Sequence, residues 1–251
     1  MERRHASGLP TAARAALVTG DAFVITCEHG GNRVPAPYRP LFRRRHTLLA
    51  SHRGYDPGAR TMARMLATAF DAPLVISTVS RLLIDLNRSI GHPRLFSAAT
   101  RSAPADVRAY VIERYYRPYR TQVEGLVREA VSRGRRVVHV SSHSFTPVLN
   151  GSVRRADVGL LYDPARPGET ALCARWKDSL AAMAPHLHVR RNYPYAGKGD
   201  GLTAHLRRTF SPAVYVGVEL EVNQRIVFAA GRPWTSLRRT LVDSLRAARA
   251  R

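Results

Sequence analysis

The sequence predicts one α/β domain of three layers, with helices on both faces of a mixed, largely parallel central sheet. Two observations predict it. Short apolar runs rich in β-branched residues alternate with stretches of helical spacing along most of the chain, the pattern of strand–helix units rather than of a bundle or a sandwich. The 251 residues suit one large domain, and no repeat or low-complexity linker divides them.

Residues 1–20, rich in Ala and Arg, are expected to form a poorly ordered arm, and residues 21–251 the domain. Phe23–Cys27 reads as the first strand and Arg60–Phe70 as an amphipathic helix. Leu74–Val79 is a strand. Asp106–Arg133 is a long helical stretch that begins after Pro104 and is interrupted at Pro118. Arg136–Ser141 and Val158–Tyr162 are strands, Glu169–Met183 is helical, and Leu187–Arg190 is a short strand. Val214–Val222 is the last strand and Ser236–Arg249 the closing helix. In such sheets ligands collect beyond the carboxyl ends of the strands, and most polar clusters of this chain fall there.

Composition excludes several classes. No run approaches eighteen apolar residues, so a membrane span is not expected. The basic N-terminus lacks the apolar stretch of a secretory signal, which gives a cytoplasmic reading. The net charge of +22 would ordinarily suggest nucleic acid. Lys177 and Lys198 are the only lysines, however, so 38 of the 40 basic residues are arginine. These are spread along the chain without a basic tail or aromatic interleaving, and a compositional origin accounts for them as well as phosphate binding does. Nucleic acid is therefore not the expected partner; a small anionic substrate is. Cys27 and Cys173 make neither a disulfide framework nor a zinc ribbon.

The most informative segment is Cys27–Pro35, in which an apolar strand stops at Glu28-His29-Gly30-Gly31-Asn32. It delivers a histidine to a turn whose glycines permit close backbone approach, the presentation expected of a metal ligand. Asn32 is a weak ligand, an orienting residue or a plain turn residue. His143, in the HVSSHS run after another apolar strand, is the second imidazole candidate, while His139 lies within that strand and is expected to bond internally. Asp56, ahead of a helix, is equally well a helix-start carboxylate or an oxygen ligand. The RLLIDLNR run offers Arg81, Asn87 and Arg88 to grip a substrate carboxylate, with Asp85 orienting an arginine. Glu219 and Glu221, two apart on a strand, face one side, and a carboxylate on an apolar strand is costly unless it is paired or functional. Glu219 is the first choice as general base and Glu221 the alternate. The glycine-rich loop Asn192–Gly201 reads as a lid or pocket wall, with Asn192 and Tyr195 as candidate substrate contacts. No G-x-S-x-G elbow accompanies the serines of HVSSHS.

Taken in order, CEHGGNRVP, YDPGA, RLLIDLNR, VSSHSF, GLLYDPAR, NYPYAGKGDGLT and GVELEVNQ resemble the N-formylglutamate amidohydrolase family, from about residue 21 to residue 228. The resemblance implies a metallohydrolase fold akin to that of zinc carboxypeptidases and phosphorylase/hydrolase-like proteins. It implies His29 and His143 as metal ligands, Glu219 as the water-activating carboxylate, and Asn87 with Arg88 as the pair that holds a substrate carboxylate. Where zinc carboxypeptidases have His-x-x-Glu, this chain has His29-x-x-Asn32, so the third ligand is Asn32 or Asp56. The expected activity is metal-dependent, most readily zinc-dependent, hydrolysis of an N-formyl or N-acyl amino acid within amino-acid metabolism, N-formyl-L-glutamate going to formate and glutamate. The alternatives are a metallopeptidase or amidase on peptide or peptidoglycan-type substrates, and a non-catalytic nucleic-acid-binding protein. Oligomeric state is open.

Overall fold

The computed structural model describes residues 20–229 and 231–249; the expected N-terminal arm, apart from Gly20, lies outside the described residues. Among the described residues, eight strands and eight α-helices follow in chain order. They are β1 (Asp21–Cys27), α1 (His46–Ala50), α2 (Ala59–Ala69), β2 (Leu74–Ile76), α3 (Ala105–Val111), α4 (Arg117–Ser132), β3 (Arg136–Phe145), β4 (Val148–Leu149), β5 (Ser152–Val153), β6 (Val158–Leu161), α5 (Pro167–Met183), β7 (Val189–Arg191), α6 (Leu202–Thr209), β8 (Tyr215–Asn223), α7 (Gln224–Phe228) and α8 (Gly231–Arg249).

Six strands form one sheet in the order β2-β1-β3-β8-β6-β7. All neighbours run parallel except β6 and β8, which are antiparallel, so the sheet is mixed and mostly parallel. β4 and β5 make a separate hairpin. The alternation of side chains along each strand sends one set to each face. Phe23, Ile25, Val138, Val140, Val216 and Val218 pack beneath α2, α5 and α8. The α5–α8 contact includes the fully buried Trp176, whose indole N–H donates to Ser244 Oγ at 2.9 Å. The opposite set, including Val24, Val137 and Tyr215, packs with Val123 and Val127 of α4 and with Leu202 and Leu206 of α6. Three layers result.

The long helical stretch is interrupted earlier than expected. A single π-turn, Ile112–Tyr116, separates α3 from α4, and Pro118 sits in the first turn of α4, where its missing N–H costs nothing. β3 runs beyond its expected end at Ser141 to Phe145 and pairs with β8 through the whole polar run: Ser141 opposite Glu219, His143 opposite Glu221, Phe145 opposite Asn223. Polar residues remain in strand here because Ser141 and His143 share the face that bears Glu219 and Glu221, and the neighbouring backbone satisfies theirs. The cluster therefore lies on the carboxyl-terminal end of the sheet face rather than in loops beyond it.

Candidate metal centre and substrate cleft

His29 leaves β1 in a tight turn in which neither glycine tolerates a side chain. A Cβ on Gly30 would stand 2.9 Å from the Ser77 carbonyl oxygen, and one on Gly31 2.8 Å from that of Thr78. The turn is pressed against the segment that follows β2. The amide of Asp56 donates to the His29 carbonyl at 2.9 Å, which sets the two residues side by side. Asp56 does not cap α2: the N-cap is Gly58, with no side-chain bond. Its carboxylate turns inward instead.

There it meets both histidines. Asp56 Oδ2 lies 3.3 Å from His29 Nδ1 and 2.9 Å from His143 Nδ1, and one ligand atom from each of the three buried residues falls within 4.8 Å of the others. The remote ring nitrogens are held too. His29 Nε2 is 2.7 Å from Asp85 Oδ1, and His143 Nε2 is 3.0 Å from Glu28 Oε2. Two imidazoles thus present the same nitrogen to one point while a buried carboxylate fixes each from behind. Orientation of this kind fixes the tautomer and raises the basicity of a ligating histidine, so the donor set fits a divalent metal.

Glu28 supports this cluster from the same sheet face. It is fully buried, accepting from Ser141 Oγ at 2.5 Å and from Tyr119 OH at 2.8 Å besides holding His143. Burial opposes its charge, but the bonds to His143 and Ser141 prevail and hold its carboxyl well below the usual range. For His143, likewise, burial opposes the charge while Asp56 and Glu28 raise the pKa well above the ordinary value. Ser141, itself buried, donates to Glu28, and its Oγ also lies 2.8 Å from His143 Nε2. His139, as expected, bonds internally, to Thr26 Oγ1 at 2.9 Å and Tyr215 OH at 2.7 Å; burial lowers its pKa to about 4.

Beside the cluster opens a cleft of about 740 Å³, lined by His29, Asp56 and His143 and by both glutamates of β8. The two glutamates differ. Half-buried Glu219 accepts from Thr203 Oγ1 at 2.6 Å. Glu221 is buried, one of its oxygens has no partner, and burial, with Asp56 and Glu219 nearby, pushes its pKa up to about 8. Arg81 reaches Asp85 Oδ2 at 2.7 Å and Asp56 Oδ1 at 3.5 Å, and its exposed part lines the cleft. Asp85 is therefore bonded to both Arg81 and His29. Arg88 donates to the Asp200 carbonyl at 2.7 Å, and Asn87 Oδ1 accepts from the Leu202 amide at 2.6 Å. Both line the cleft, as does Tyr195, whose hydroxyl accepts from Arg154 at 3.0 Å.

Two candidates are not brought here, and both are corrections. Asn32 is exposed and spends its amide on the Leu49 carbonyl at 3.2 Å, away from the histidine pair. Asn192 adopts a positive φ of 50°, and its side-chain oxygen accepts from the amides of Tyr162 and Gly197 at 3.0 and 3.1 Å. It pins the loop rather than facing the cleft. Sequence reading missed Tyr119 and Thr203, ordinary helix residues whose roles arise only from packing.

The model of the N-formylglutamate amidohydrolase family matches residues 21–228 of the chain. No curated protein matches it in sequence. Among solved structures the chain is similar to a gene product of Agrobacterium tumefaciens, with a TM-score of 0.79 and 30% identity over 93% of this chain and 92% of that one. It is also similar to N-formylglutamate amidohydrolase from Ralstonia eutropha, with a TM-score of 0.67 and 22% identity over 93% and 95%, a likeness of fold.

Proposed function

The chain belongs to the N-formylglutamate amidohydrolase family, hydrolases of amide bonds, and from that premise we propose that it cleaves an N-formyl or N-acyl amino acid with the help of a divalent metal, most readily zinc. The observation that carries this reading is the convergence of His29 Nδ1, His143 Nδ1 and the Asp56 carboxylate at the floor of an arginine-lined cleft. His29, Asp56 and His143 would hold the metal, which supplies polarisation of the scissile carbonyl and a lowered pKa for water.

The other steps belong to the chain's own groups. Arg81, and Arg88 with Asn87, hold the carboxylate of the amino-acid half; guanidinium is suited to this because its planar fork matches a carboxylate. Glu219 takes the proton of the attacking water. Thr203 fixes one of its oxygens, which leaves the other for the cleft and limits the reorganisation the proton transfer needs. The same carboxyl then returns the proton to the departing amine nitrogen. Glu221, buried beside the site with one oxygen free of partners, is the alternate carboxylate for this role.

N-formyl-L-glutamate is the first substrate to test, by formate release with and without a chelator. The reading predicts turnover that the chelator abolishes and added zinc restores. A Glu219→Gln variant should lose at least about 100-fold in kcat with little change in KM. Chelator-insensitive turnover, or a Glu219→Gln enzyme as active as wild type, contradicts it. We place the enzyme in the cytoplasm; no helix among the described residues is long and apolar enough to cross a membrane.

A further inference from the structure

The cleft is larger than a formyl group can use, and apolar side chains line it beside the charged ones. Its volume of about 740 Å³ falls in the range of pockets that enclose drug-sized ligands. The lining divides by origin. Its arginines, among them Arg81, Arg88 and Arg101, all come from residues 53–101, the segments that follow β1 and β2 on one half of the sheet. Leu82 and Phe96 stand among those arginines, while β3, β4, β6 and the loop after β7 bring Phe145, Leu149, Leu161 and Tyr195 to the other half, Phe145 and Leu161 almost wholly buried and Leu149 and Tyr195 more open to the cleft. Between the halves stand His143 on β3 and Glu219 on β8, with Leu161 of β6 directly opposite Glu219 in register and Phe145 two residues beyond His143 on the same face.

Two features make this wall a built one. A Cβ on Gly159 would lie 1.9 Å from the Tyr193 carbonyl oxygen, so a glycine in β6 is what lets the loop after β7 close over the sheet here. Tyr195 is then anchored at the rim by Arg154, which donates to its hydroxyl at 3.0 Å and lies over its ring at 5.0 Å. A substrate whose carboxylate lies on the arginines, with its amide over His143 and Glu219, directs its acyl carbon past the buried Leu161 and Phe145 toward Leu149 and Tyr195, the side chains of this wall that are open to contact. A formyl carbon bears only hydrogen and buries nothing against them.

Resting on the amidohydrolase reading above, we infer that the preferred substrate carries an apolar acyl group larger than formyl, an aliphatic or aromatic N-acyl amino acid with its free carboxylate on the arginines. Apolar burial at this wall sets the specificity: each added methylene that enters it should raise kcat/KM about fourfold until the pocket is full.

The test is kcat/KM for formyl-, acetyl-, butanoyl-, hexanoyl- and benzoyl-L-glutamate on the zinc-supplemented wild-type enzyme. The expected result is a rise from acetyl to hexanoyl, with formyl the poorest substrate. Leu149→Asp, at a half-buried position of the hairpin, should flatten that slope. Ala196→Trp, which adds bulk at an exposed position lining the cleft, should lower hexanoyl turnover more than acetyl. Formyl turned over best, with a flat or falling series, overturns the inference and leaves the amidohydrolase reading intact. A rising series that neither variant alters overturns the placement of the acyl group. Turnover of no member, with metal bound, overturns the amidohydrolase reading and this inference with it.

Discussion

Glu28 has no exposed surface and three partners, and what it does can be told from what its loss would leave. Glu28→Gln keeps the shape but removes the charge that holds His143 Nε2, so metal affinity should fall about 10–100-fold, read by competition with a chromophoric chelator; unchanged affinity would make Glu28 a packing residue only. Glu221 is the converse case, a buried carboxyl with an oxygen left unpaired. Its pKa is raised by burial from 4.5 to about 8, so between those values the folded metal-free protein binds the proton that the unfolded chain has lost, and stability falls as pH rises through that window. Glu221→Gln should therefore stabilise the metal-free protein at pH 8–9 and change little at pH 4, measured by urea unfolding at both; equal effects at the two pH values would contradict the assignment. At this scale the sequence was readable wherever residue type and strand end coincided, as at His29. Glu28 was not, because β-alternation tells which way a side chain points but not that Tyr119 and Ser141 wait there to receive it.

The buried ion pair between α5 and α6 shows the elements holding one another. Arg207 Nε meets Glu169 Oε1 at 2.9 Å, and the remaining guanidinium nitrogens donate to the Gly197 and Gly217 carbonyls at 2.6 and 3.0 Å. Glu169 also accepts from the Gly217 and Asp163 amides. Helix α6, which carries Thr203, is thereby locked to β8, which carries Glu219. Removing one partner leaves a buried charge unpaired, so Arg207→Ala should cost about 3–5 kcal/mol in denaturant unfolding; a cost below about 1 kcal/mol would mean the pair is not buried in solution. Strands and long helices were legible from periodicity, β1, α2, α5 and β8 within a few residues. The carboxyl-terminal half of β3 was not, because its run of serines and a histidine imitates a loop until β8 is laid beside it. Helix α6 went unread for a different reason: eight residues behind a glycine-rich loop carry too little periodicity.

Over the whole molecule, the net charge of +22 surrounds a cleft whose proposed ligand is an anion. Long-range attraction of that kind acts on encounter and is screened within about 10 Å at 0.1 M salt. The kcat/KM for an acyl-glutamate should accordingly fall several-fold between 0.01 and 0.5 M salt, while that for the corresponding diamide, already poor, should hardly move. Equal salt dependence for both would make the charge compositional, the other origin the arginine bias allows. Metal and fold are linked in the same way: a ligand bound only by the folded state stabilises it by mass action, so chelation should lower Tm and zinc restore it.

The proposed catalysis rests on His29, Asp56 and His143 holding a metal. Elemental analysis of the purified wild type beside a His29→Ala, His143→Ala double variant tests that directly. The account predicts near-stoichiometric divalent metal, zinc foremost, in the wild type and essentially none in the variant. Wild-type protein that takes up no metal after incubation with divalent ions, or a double variant that retains as much as wild type, would contradict it.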